Sequence, residues 1–145
     1  MNILRTRIFL LPLLILFISP PLYAADTGVV TINAKNSAAE ILESLKMQLE
    51  QKRFKIFSVY DHGDKGSVKQ VIVFGKTNHN ARIMWHDPAA GLELPLKIAV
   101  FQDDVGTQVI YRKPSSLRNT YSLQECNLLD ELDLLMAELA QKAAQ

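Results

Sequence analysis

The stretch LPLKIAVFQDDVGTQVIYR, residues 94–112, decides the fold. Leu96 to Phe101 is a short run of apolar and β-branched residues, the composition of a strand. Asp103-Asp104-Val105-Gly106 then supplies turn chemistry: aspartates that bond their own backbone, and a glycine free of Cβ clashes. Thr107 to Arg112 is a second β-prone run of matching length, so the two predict an antiparallel hairpin. Pro114 ends it, because a proline has no N–H to give a ladder. Within the first strand, alternation sets Lys97 on one face with Ala99 and Phe101.

Working outward, Gln70 to Gly75 (QVIVFG) is a nearly continuous apolar strand, which suggests neighbours on both sides. Phe54 to Tyr60 is a strand ended by the turn-prone Asp61-His62-Gly63-Asp64-Lys65-Gly66. Upstream, Asp26 to Ala34 holds a short β-prone run with Val29, Val30 and Ile32. Ser37-Ala38-Ala39-Glu40 then has the pattern of a capping box, and Ala38, Ile41, Leu42, Leu45 and Leu49 recur at helical spacing. That helix is expected to reach about Arg53. Between the central strand and the hairpin, Lys76 to Ala81 reads as a polar loop with room for a helical turn, and Ile83 to Trp85 as a short strand or edge segment. At the far end, Leu128, Leu132, Leu135 and Leu139 follow i, i+4, i+7, i+11, an amphipathic helix with acids in its first half. The order β-α-β-β-(β)-β-β-α predicts an α+β fold, one mostly antiparallel sheet covered by two helices on one face.

The first 25 residues read as an export signal. Arg5 and Arg7 precede an apolar run from Ile8 to Ile18, prolines stop it, and Leu22-Tyr23-Ala24-Ala25 offers small residues for cleavage near Ala24 and Ala25. Spanning a bilayer takes about 20 apolar residues, and this run is about half that, so no stable membrane anchor is expected after cleavage. A lipid anchor needs a cysteine just past the cleavage site, and the single cysteine is Cys126. Residues 26–145 would then form one domain in the periplasm or outside the cell, held by packing without an internal disulfide. Fourteen basic residues against fifteen acidic give it a net charge of −1 with histidines neutral. No basic cluster remains, and without one phosphate-backbone binding loses its main term, so nucleic acid is excluded as a partner.

Several segments together resemble the domain of unknown function 302 family: Val73-Phe74-Gly75, the Met84 segment, Leu94-Pro95-Leu96-Lys97-Ile98, the Asp103 to Gly106 turn, and Tyr111 with Leu117 and Tyr121. The Asp61-His62 pair also resembles that family's Asp-His element. The likeness runs from about Val29 to the last helix and rests on order and spacing. It implies a two-layer domain of the TATA-box-binding-protein-like type, a curved antiparallel sheet with helices on one face. It further implies a small, often dimeric protein with no established activity. Two departures stand out: Lys76-Thr77 where the family commonly has Asn-Pro, and Gly63-Asp64-Lys65 where it often has small residues.

Asp61 with His62 is the most suggestive chemical pair, because a carboxylate beside an imidazole fixes its tautomer and raises its basicity. Adjacent residues in an extended segment point to opposite faces, so Asp61 capping the turn and His62 bonding backbone is the plainer reading. His86 and His79 add imidazoles, but no metal-ligand spacing joins them; His62 with His86 is the one pairing to weigh. Lys97 sits in an otherwise apolar strand, either as a cation at a pocket rim or as a lysine on an open sheet face. Trp85 and Tyr111 are candidates to line an apolar pocket, or simply core. No nucleophile elbow, phosphate loop or dinucleotide fingerprint is present, so catalysis has no positive support and no cofactor is implied.

These readings predict an exported, noncatalytic homodimer that binds a small apolar or anionic ligand near Asp61, His62, Trp85, Lys97 and Tyr111. The alternative is a small hydrolase or metal-dependent enzyme using Asp61 and His62 with His86. A third reading, docking through the last helix, requires Leu132 or Leu139 to be exposed.

Overall fold

The computed structural model describes residues 27–64 and 67–145. The stretch read as an export signal and its expected cleavage site lie outside the described residues, as do Lys65 and Gly66 of the turn. The elements are β1 (Val29–Ala34), α1 (Ala38–Gln51), β2 (Lys55–Asp61), β3 (Val68–Gly75) and α2 (Thr77–His86). They continue as a 3-10 segment (Pro88–Glu93), β4 (Leu96–Gln102), β5 (Thr107–Arg112), a second 3-10 segment (Pro114–Asn119) and α3 (Leu128–Ala144).

The five strands form one sheet in the order β1-β5-β4-β3-β2, antiparallel at every junction. β1 and β2 are the two edges, and α1 carries the chain from one to the other. Its start is fixed locally. The Ser37 amide donates to the Glu40 carboxylate at 2.8 Å while the Glu40 amide donates to the Ser37 hydroxyl at 3.4 Å, closing the capping box. Its end is marked by Arg53 at φ 56, where the Phe54 amide returns to the Leu49 carbonyl at 2.8 Å.

α1 and α3 lie side by side on one face of the sheet. Ile41, Leu45 and Leu49 meet Leu132, Met136 and Leu139 there, over Ile72, Phe74, Ile98, Val100 and Val109 of the strands. Each such aliphatic or aromatic side chain contributes about 1.5–3 kcal/mol on leaving water. Leu132 and Leu139 are buried in this layer, so α3 has no leucine stripe left over for docking. The two-layer α+β layout is the one the sequence predicts.

Two local features differ from the sequence reading. The segment read as polar loop and then short strand is instead α2, Thr77–His86. The Lys76 carbonyl takes the amides of His79 and Asn80 at 3.0 and 3.1 Å, starting the helix. Only Ile83 is buried, while Met84 and Trp85 face outward. One inward contact leaves no helical periodicity to read, and the β-prone Ile83-Met84-Trp85 triplet points the wrong way. The helix stops where Asp87 turns its carboxylate back to cap the Ala89 amide at 2.9 Å ahead of the 3-10 segment.

The second feature is a bulge in β2 between Ile56 and Ser58. It re-phases the strand, so that Tyr60 aligns with Val71, Ala99, Ile110 and Thr31 in one row across the open face.

Candidate functional site

The hydrogen-bonded ladder between β4 and β5 ends at the Ile98–Tyr111 pair. Carrying its register onward would set Lys97 opposite Arg112 and Pro95 opposite Pro114. Two prolines facing each other offer no N–H to either strand, and two cations facing each other repel. The strands accordingly part. Lys97 and Leu96 stay paired to β3, while Arg112 pairs with Val29 of β1 and the Lys113 amide bonds the Gly28 carbonyl at 2.7 Å.

The parting opens a cleft of ≈ 240 Å³ that runs from the open face toward the helices. Leu96, Tyr111, Leu117 and Met136 line its helix side, and Lys97, Ala99, Ile110 and Arg112 its open side. An apolar cavity of about 150 Å³ takes up benzene, so this space suits a ligand somewhat larger than one ring.

Three donors stand in these apolar walls. Tyr111 is 6% exposed, yet its hydroxyl has no hydrogen-bond partner among the described residues. Burial, followed by the negative charge of Asp133, pushes its phenol above the usual range, so it stays protonated and a donor. Asp133 itself is engaged, its two oxygens accepting from the Ser115 amide at 2.9 Å and hydroxyl at 2.5 Å. Lys97 spends two of its three N–H donors on the carbonyls of Glu93 and Pro95, at 3.0 and 2.9 Å. Those bonds orient the ammonium without neutralising it. Arg112 gives one N–H to the Thr27 carbonyl at 3.1 Å, and its other donors are unpartnered among the described residues. Glu93 also borders the cleft, with its carboxylate accepting from the Tyr121 hydroxyl at 3.2 Å.

Of the residues singled out in the sequence, Lys97 and Tyr111 come together and the rest do not. Trp85 is 83% exposed on α2, edge-on to His86 at 5.4 Å, and lines no wall of the cleft. Asp61 is a turn residue: it accepts the Gly63 amide at 2.8 Å and the Gln70 amide group at 3.2 Å. The Gly63 amide, then Gln70, hold its carboxyl below the ordinary range. His62 lies on the open face, stacked on Tyr60 at 6.3 Å, beside a shallow apolar groove with Phe101, Ala99 and Ile110. No group of three or more histidine, cysteine, aspartate or glutamate side chains is poised to hold a metal among the described residues. Arg112 was missed in the sequence, although the hairpin register with Lys97 would have found it. Its significance depends on where the ladder stops.

Three comparisons bear on these features. The sequence pattern of the domain of unknown function DUF302 matches residues 30–139. A solved structure described as an uncharacterized conserved protein DUF302 from Bacillus stearothermophilus superposes with a TM-score of 0.66 at 17% identity, covering 81% of this chain and 98% of that one. That likeness speaks to the fold. Among curated proteins, Fluoride-specific ion channel FluC 1 of Brucella suis biovar 1 is 25% identical over 113 residues, 72% of this chain and 44% of its own length. The FluC 1 protein of Brucella abortus biovar 1 matches at 25%, over 42% of its length. The chain thus spans less than half the length of these curated relatives. No helix among the described residues is long and apolar enough to cross a membrane.

Proposed function

The chain belongs to the family of the domain of unknown function DUF302, and within it we propose an exported, noncatalytic binding domain that works as a homodimer. The observation that carries the reading is the parted end of β4 and β5. It is an apolar cleft in whose walls Lys97, Arg112 and Tyr111 hold donors not spent on the fold. Donors fixed in apolar walls hold and orient a ligand. Covalent catalysis would need a nucleophile within reach of a base, and no histidine or cysteine among the described residues borders this cleft. The ligand is small and apolar, with an anionic part.

The enzyme alternative requires Asp61, His62 and His86 to converge. Alternation sends Asp61 and His62 to opposite faces of β2's end, and His86 is on α2. The binding reading is favoured on that geometry. The ion-channel activity in the names of the Brucella proteins belongs to longer chains, of which the match covers 44% and 42%, and we do not extend it to this one.

Pairing uses the open face. Tyr60, Val71, Ala99 and Ile110 form an apolar row across it, and no helix among the described residues covers that side. Sedimentation velocity at micromolar concentration is expected to show a dimer that Tyr60→Glu converts to a folded monomer. A strictly monomeric parent protein overturns the pairing. A thermal-shift screen of small carboxylates tests the cleft, with Lys97→Met expected to abolish the response. N-terminal sequencing of protein recovered from the cell envelope tests export; an intact Met1 would overturn processing near Ala24 and Ala25.

A further inference from the structure

We propose that the cleft takes a small amphipathic oxo acid. Its anionic group would sit between Lys97 and Arg112, its body of about six to eight carbons against Leu96, Ile110 and Met136, and an oxygen acceptor on that body would meet the Tyr111 hydroxyl. This deepens the binding reading and rests on it.

The argument starts from Tyr111. Its side chain faces the helix layer through the β5 alternation that puts Val109 and Tyr111 inward and Ile110 and Arg112 outward. It is 6% exposed and its hydroxyl is unpartnered among the described residues. The ring is packed while the hydroxyl opens on the cleft, so the donor is held in place yet left for water or a ligand to meet. A ligand acceptor that replaces that water gains an oriented hydrogen bond in the cleft wall. Because the surrounding surfaces are Leu96, Leu117 and Met136, that acceptor arrives on an apolar body rather than as a bare ion.

The mouth adds the second condition. Lys97 and Arg112 stand on opposite sides of the parted strands, and each has donors remaining after its carbonyl contacts. A carboxylate that reaches both gains charge-assisted bonds from each. Glu93, whose carboxylate is tied to Tyr121, leaves the mouth with a surplus of one positive charge. A single anionic group fits that surplus better than a dianion. The two polar ends lie on opposite sides of the sheet, so the ligand threads the gap between β4 and β5 with its anion outward and its neutral oxygen inward.

Calorimetric titration of the full-length chain discriminates the terms. The probes are the methyl-keto acids from 4-oxopentanoate to 8-oxononanoate, with the unsubstituted carboxylates and the neutral methyl ketones as controls. The expected result is one keto acid binding about three- to tenfold more tightly than its parent carboxylate, the range of one net hydrogen bond. Tyr111→Phe, which keeps the ring and its packing, should erase that advantage and leave the parent carboxylate unchanged. Lys97→Met should weaken both acids at least fivefold and leave the ketone unchanged. If keto acid and parent bind alike and Tyr111→Phe is silent, the oxo-acid class is overturned while the binding reading stands. If no member of any series binds at millimolar concentration to protein with its native melting transition, both fall.

Discussion

Replacing Phe74 by alanine should cost about 4 kcal/mol, whereas the same change at Phe57 should cost about 1. Phe74 is fully buried on the helix face of β3, and Phe→Ala at such sites typically costs 3–5 kcal/mol. It also meets Phe54 edge-on at 5.9 Å and 78°, an arrangement worth about 0.5–1.5 kcal/mol beyond area burial. Phe57 is 43% exposed, on the side of β2 away from the inward Ile56, and truncation forfeits only part of a side-chain transfer energy of about 1.5–3 kcal/mol. For roughly 120 residues, an unfolding entropy near 2.1 cal/mol/K per residue gives about 0.25 kcal/mol/K. Phe74→Ala then lowers Tm by about 16 °C and Phe57→Ala by about 4 °C. The assay is thermal and urea unfolding at low protein concentration, so that association does not enter the numbers. A double-mutant cycle on Phe54 and Phe74 should return the edge contact as coupling. If Phe57→Ala costs as much as Phe74→Ala, the face assignments of β2 and β3 are wrong.

Three other perturbations bear on separate parts of the molecule. Gly28 has φ +66, and a Cβ there would overlap the Ser116 side chain, so Gly28→Ala should destabilise strongly. Adding Ser116→Gly should recover the overlap but leave about 1 kcal/mol of left-handed strain; a urea midpoint unchanged by Gly28→Ala would contradict this. Glu138 accepts from Lys142 and Lys52, each at 2.8 Å, and these bonds hold its carboxyl down to about 2. A depressed carboxyl stabilises the fold above its unfolded value of 4.5, and this contribution fades as pH falls from there toward 2. Glu138→Gln should flatten the midpoint-versus-pH curve across that window, and parallel curves would refute the assignment. For His79, burial and then the charges of Lys76 and Arg82 lower the imidazole, and its Nδ1 is buried without a partner among the described residues. The unfolded chain takes up the proton first, so stability should decline as pH falls below 6.5. His79→Leu should remove that slope in pH-dependent unfolding; a slope that persists would show that another group is responsible.

Much of this fold is legible because its signals are local. Ser37 and Glu40 announce α1 through one reciprocal pair of bonds. The Asp103 turn closes just as its composition predicts, with the Asp103 carboxylate taking the Val105 and Gly106 amides at 2.9 and 3.1 Å. α3 carries enough leucines at helical spacing to fix both its type and its buried face. α2 escaped because a helix that buries one residue has no stripe. The β2 bulge escaped because Phe54, Ile56, Phe57 and Val59 are apolar in both phases, and only pairing with β3 selects one.

The site divides the same way. Composition and alternation alone marked Lys97 as a cation among apolar neighbours sharing a face with Ala99 and Phe101, and the sequence likewise supplied the resemblance that family membership bears out. It could not separate Tyr111 from Trp85, since both are aromatics beside β-prone residues. Tertiary packing decided between them, carrying Trp85 out on a helix and Tyr111 into the core. Nor could it reveal that Pro95 and Pro114 would meet across two strands, because that depends on the register a turn eight residues away imposes. Strand identity is written in side chains at period two. A gap between strands is written only in which backbone groups have nothing to bond.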